Sequence, residues 1–147
     1  MQKYIVVTTI AISCFAAGLF ASYSFAKKQK ETGYILEHES DIGKNEPAPH
    51  HGNGSTTAYS FFNSAADSKL VFRKRVLHPG SEIGYHLQQA DEIYYIVSGK
   101  GEMTMNNKVF TVQAGDAILT FPGSSHGLKQ TGTEDLVIII NYEKSNG

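Results

Sequence analysis

The sequence predicts an all-β domain over residues 56–147, and three observations carry that prediction. From Thr56 onward, short runs rich in β-branched and aromatic residues alternate with Gly, Pro, Asn and Ser turn signals at close spacing. No amphipathic helical pattern of useful length follows residue 31. Hydrophobic residues make up 41% of the 147, enough to bury the core of one domain. Together these features point to a small barrel or sandwich.

The elements follow in chain order. Residues 1–26 read as an export segment. Lys3 gives the positive start, Ile5 to Phe20 the apolar stretch, and Ser24-Phe25-Ala26 a small-x-small cleavage site. The same segment also reads as an uncleaved membrane anchor, because Ile5 to Ala26 carries no charge and is long enough to cross a bilayer. A third reading acylates Cys14, the only cysteine. All three place the domain outside the cytoplasm, in a periplasm, with the membrane touched only through this segment. Cys14 has no partner in the chain, so the domain holds no internal disulfide.

Residues 27–55 form a polar linker or arm. Within it, Glu46-Pro47-Ala48-Pro49-His50-His51-Gly52 carries turn signals and weak periodicity. The His50-His51 pair reads as part of a flexible polar arm, with a second metal site as the alternative. Strands are expected at Tyr59–Phe62, Leu70–Leu77, Ile93–Val97, Glu102–Met105, Lys108–Val112, Ala117–Thr120, His126–Gln130 and Leu136–Tyr142. Asn106-Asn107 signals a two-residue hairpin turn, because Asn tolerates positive φ.

Alternation assigns faces. If Glu92 points inward, so do Tyr94 and Ile96, and His126, Leu128 and Gln130 share one face. His86 and Gln88, two apart, face one way. Two imidazoles and one carboxylate from His86, Glu92 and His126 make an open site for a divalent transition metal: Fe, Mn, Ni, Zn or Cu. Gln88 adds a fourth candidate ligand through its amide oxygen, or only hydrogen-bonds inside the barrel. Tyr94 is the tyrosine expected to face inward as an acid or base, against ordinary core packing as the alternative. Arg73 and Arg75 share a face. Facing the cavity, they would clamp a substrate carboxylate; facing outward, they would be solvated.

Two stretches carry a family resemblance. Gly80, His86, Glu92 and Gly99 fall at the spacings of the first cupin motif, with Gln88 where its second His stands. Gly115, Gly123 and His126 match the second motif, with Phe121 in its proline slot and Gln130 in its Asn slot. The C-terminal 90 or so residues therefore resemble the cupin superfamily. The resemblance implies a small double-stranded β-helix (jelly-roll) barrel, preceded here by the export segment and polar arm, and a homodimer.

Net charge is −1, with no basic block to suggest nucleic acid. The chain has no phosphate loop and no Ser or Cys nucleophile motif. Two functions stay open: a metal-dependent dioxygenase, isomerase or lyase acting on a small polar organic molecule, and a non-catalytic module that binds a metal or small ligand.

Overall fold

The computed structural model describes residues 33–144, and the unit from Glu37 onward is a jelly-roll barrel. The export segment and Cys14 lie outside the described residues. Ten strands occur in chain order: β1 (Gly43–Pro47), β2 (Ser55–Phe61), β3 (Leu70–Leu77), β4 (Glu82–Leu87), β5 (Glu92–Ser98), β6 (Lys100–Met105), β7 (Lys108–Gln113), β8 (Ala117–Thr120), β9 (Ser125–Thr131) and β10 (Leu136–Glu143). They form a six-stranded sheet, β1-β2-β3-β10-β5-β8, and a four-stranded sheet, β4-β9-β6-β7, with every pairing antiparallel. The one helix among the described residues is the single turn α1 (Glu39–Ile42).

Sheet alternation builds the core. Leu77, Leu136, Ile138 and Ile96 point inward from the larger sheet, Met103, Leu128 and Ile83 from the smaller, and all are buried. Apolar residues fill this middle layer, so the polar inward positions of the same strands collect toward one end. Glu92 and Tyr94 precede Ile96 on β5, and His126 precedes Leu128 on β9.

Turn chemistry follows the sequence closely. Asn106 and Asn107 have φ of 46° and 67°, the double left-handed turn that joins β6 to β7. Gly99, at φ 81°, carries the chain from one sheet to the other, and a Cβ there would collide with the Asp135 carbonyl.

Three stretches differ from the sequence reading. The polar arm supplies α1 and the strand β1, which pairs with β2 from Gly43↔Tyr59 to Pro47↔Ser55. Its residues look like linker because a five-residue edge strand needs little apolar patterning. β2 starts at Ser55, four residues before the expected start at Tyr59, its N-terminal half held by β1 and β3. β4 was not expected as a strand. Its register on β9 shifts: Ile83 pairs with Leu128 and His86 with His126, so one strand uses an extra residue. This β-bulge breaks simple alternation.

Candidate metal centre

The bulge in β4 builds the site. Without it, Ile83 and His86, three apart, would face opposite ways. With it, Ile83 enters the core and His86 lies opposite His126, their rings edge-on at 4.6 Å and 73°. Glu92 opens β5 on the facing sheet, beside Tyr142 of β10 and Thr120 of β8. The ligand atoms of His86, Glu92 and His126 all lie within 4.8 Å of one another. His126 is fully buried and Glu92 7% exposed, so water contributes little to solvating either.

Hydrogen bonding suits this trio to a metal. His86 Nδ1 lies 2.8 Å from the Gly84 carbonyl. Donating there fixes the tautomer and leaves Nε2 as the free lone pair, the usual second-layer support of a ligating imidazole. Glu92 Oε2 lies 3.2 Å from His126 Nε2, yet both Oε2 and His126 Nδ1 are buried without a hydrogen bond of acceptable geometry. A buried polar atom left unpaired costs about 1–3 kcal/mol. A divalent cation held by the carboxylate and the imidazoles removes that penalty at Glu92. Two nitrogens and a carboxylate oxygen suit Mn, Fe, Ni, Cu or Zn.

Gln88 follows the last residue of β4. Its backbone is anchored to the Phe121–Ser124 turn, with N–H to the Ser124 carbonyl at 2.8 Å and C=O from the Gly123 N–H at 2.9 Å. It lines the same open cavity of about 370 Å³ as His86 and Glu92. Gln130, on the His126 face, is a tie instead: its oxygen accepts from the Gly80 N–H and its nitrogen donates to the Gly132 and Glu134 carbonyls.

Tyr94 is buried, with its hydroxyl 3.3 Å from His126 Nε2. Burial, then the neighbouring Glu92 charge, push its phenol well above the usual value, so it is a neutral donor at pH 7. Tyr85 and Tyr95 are about half exposed.

The arginines face inward, correcting the solvated outer-face alternative. Arg75 is buried and donates to Thr56 Oγ1 at 2.6 Å, with Glu46 Oε2 at 3.4 Å. Its guanidinium is engaged by the arm rather than open to the cavity. Arg73 lies over the Tyr142 ring, its carbon 5.9 Å from the centroid, with a buried Nε that has no hydrogen bond. Tyr142 lines the cavity.

The residue that sequence reasoning missed is His50. The expected flexible arm is folded onto the barrel, and His50 stacks on His86 with centroids 3.5 Å apart and planes 4° from parallel. It lines the cavity too. Burial, then the charge of a protonated His86, lower its pKa. No local periodicity signals this placement; only pairing across 36 positions of sequence brings the two rings together.

Comparisons with known proteins agree with the fold. Residues 74–142 match the family model described as Cupin domain. The oxalate-binding protein of Thermotoga maritima is 40% identical over 67 residues, 45% of this chain and 55% of that protein. The 5-nitrosalicylic acid 1,2-dioxygenase of a Bradyrhizobium species is 30% identical over 70 residues, 47% of this chain and 33% of that protein. The chain thus spans about half or less of the length of these curated relatives. A solved structure described as a predicted oxalate decarboxylase, also from Thermotoga maritima, superposes with a TM-score of 0.68 at 29% identity, covering 74% of this chain and 98% of that one.

The trio predicts a clear mutational outcome. His126→Ala and Glu92→Ala abolish stoichiometric metal binding while far-ultraviolet circular dichroism still reports a β-rich fold. Gln88→His, which restores a third imidazole, tightens metal binding. Full metal content in both Ala variants, read by elemental analysis, would refute the assignment.

Proposed function

From the premise that residues 74–142 form a small cupin domain, we propose that the chain holds one divalent transition metal through His86, Glu92 and His126, with Gln88 as a fourth neutral ligand. We infer further that it is a metal-dependent enzyme acting on a small organic acid. One observation carries this reading. An open cavity of about 370 Å³ reaches His86, Gln88 and Glu92, while the neutral phenol of Tyr94 lies 3.3 Å from His126. A bound divalent ion would act as a Lewis acid toward a carboxylate or enediolate oxygen. The protein's part is to orient that oxygen in the cavity, keep Tyr94 protonated as a donor, and set Arg73 as a positive charge behind the Tyr142 wall. Dioxygenase, isomerase and lyase chemistry all fit this frame.

The second reading is a non-catalytic binder of a metal or a small ligand. It is favoured by Gln88 in place of an imidazole and by the name of the Thermotoga relative. The two readings separate in one set of experiments. Protein purified without chelator should carry about one equivalent of metal. Calorimetry with oxalate and related small acids then measures binding, while oxygen uptake and mass-spectrometric product analysis measure turnover. Binding without turnover of any acid that binds would retire the enzyme reading in favour of the binder. No metal, even after reconstitution, would remove the main support for catalysis and make a small-ligand binder the leading reading.

A homodimer is proposed on the outer face of the six-stranded sheet. Ile93, Tyr95 and Val97 of β5 and Leu119 of the edge strand β8 are each 46–48% exposed, and Ile93 pairs directly with Leu119. A sheet edge with neighbouring apolar side chains and little net charge favours a second copy of the same chain. Sedimentation analysis should give a dimer that Tyr95→Lys with Leu119→Lys converts to monomer; a monomeric wild type at high concentration would remove the proposal.

Export to a periplasm, with or without a retained anchor, is proposed from the apolar run before Lys27. Among the described residues no helix is long and apolar enough to cross a membrane. N-terminal sequencing of the protein recovered from fractionated cells is expected to start at Lys27; full-length chain in the cytoplasmic fraction would refute export.

A further inference from the structure

The loop between β1 and β2, residues 48–54, is attached to β4 by backbone contacts. The Gly84 N–H donates to the Pro49 carbonyl at 3.1 Å, and the Glu82 N–H to the Asn53 carbonyl at 3.0 Å. Asn53 Nδ2 also donates to Glu82 Oε1 at 2.7 Å, and the Ser55 N–H to Ser81 Oγ at 3.0 Å. The approach is close enough that a Cβ on Gly84 would collide with the His50 carbonyl, and one on Gly52 with the Glu82 carbonyl. Two glycines facing each other across this seam let the main chains meet.

The same seam holds His50 and His51 in left-handed backbone, at φ 55° and 60°. Non-glycine residues adopt this conformation uncommonly, Asn, Asp and His more readily than the rest. From this backbone the His50 ring stacks parallel on His86.

We propose that His50 is a positioning residue for the metal centre: its ring holds the His86 imidazole in ligating orientation by stacking on it. This rests on the metal reading above. His86 is otherwise held at one ring edge by the Gly84 carbonyl and approached edge-on by His126. Those contacts leave one face of the ring unsupported, and His50 covers a face. Direct ligation by His50 is a different role, and the stack does not favour it. Ligating lone pairs lie in the ring plane, and with centroids 3.5 Å apart and planes 4° from parallel an ion in the plane of His86 would lie out of the plane of His50, whose nitrogens are not grouped with the ligand atoms of the trio. The proximal arm is therefore part of the site, although its sequence is that of a polar connector.

The test is a Co(II) titration of the full chain as wild type, His50→Ala and His50→Phe, with melting curves confirming that each folds. His50→Ala is expected to bind Co(II) about tenfold more weakly, with shifted visible bands, because support lost behind a ligand costs affinity on that scale. His50→Phe keeps a flat ring without ring nitrogens, and should stay within about twofold of wild type if stacking is the role. A metal-free readout runs beside it. Carbethoxylation of His86, mapped by mass spectrometry, should speed up severalfold in His50→Ala and not in His50→Phe. Equal affinity and equal modification rate in wild type and His50→Ala would overturn the proposal. So would a His50→Phe variant as weak as His50→Ala, since the nitrogen and not the stack would then matter. A wild type that binds no Co(II) would overturn the metal reading, and the modification rates alone would then decide the stack.

Discussion

The extra residue in β4 is the constraint on which the site depends. It lies between Ile83, which belongs to the core, and His86, which belongs to the cavity, and lets both face inward from one short strand. The residue at its start is Gly84. Its carbonyl accepts from His86 Nδ1, and its N–H binds the Pro49 carbonyl of the arm. One peptide segment therefore aims a candidate ligand, sets its tautomer and anchors the loop that carries His50. A side chain at this position would collide with the loop, so the bulge and the arm depend on each other.

Around that point the barrel separates two kinds of interior. Below, Ile96, Ile138, Leu136, Met103 and Leu128 exclude water and provide the burial that stabilises the domain. Above, Glu92, Tyr94 and His126 are nearly as buried but polar, an arrangement that costs free energy unless each group has a partner. Tyr94 and His126 partly satisfy each other. Glu92 Oε2 and His126 Nδ1 find no hydrogen bonds among the described residues. Core stability has been set against local polar cost, the pattern expected where a site is built for something the polypeptide does not supply.

Much of this was legible in the sequence. Period-two alternation correctly placed Glu92, Tyr94 and Ile96 on one face, and His126 with Leu128 and Gln130 on another, because β5 and β9 run without interruption through those residues. The Asn106-Asn107 turn was legible because its requirement for positive φ is local. The remainder depends on pairing between distant segments. β1 looks like linker until β2 is there to receive it. Nothing near Arg75 says that Thr56 and Glu46 will engage it. His50 lacks any periodic signal, and its position follows from a glycine seam between two segments whose contact cannot be read from either alone.

Charge balance extends the reading from the metal to its ligand. Glu92 is the one anionic member of the proposed ligand set, since His86 and His126 ligate as neutral imidazoles and Gln88 is an amide. A divalent ion held this way keeps a net positive charge. A third imidazole in place of Gln88 would leave that charge unchanged but donate more electron density, so the amide makes the ion a harder acceptor, better matched to oxygen than to nitrogen ligands. Arg75 points inward but is paired with Glu46 Oε2 at 3.4 Å, so it adds little to that charge, and the neutral phenol of Tyr94 offers a donor without adding any. Glu143, on the exposed rim of the cavity, opposes that charge, but water and salt screen a rim charge far more than a buried one. With the proposed metal bound, the balance would favour an anionic oxygen ligand over a neutral or cationic one, and a carboxylate that can also chelate would satisfy both the charge and the hardness of the site.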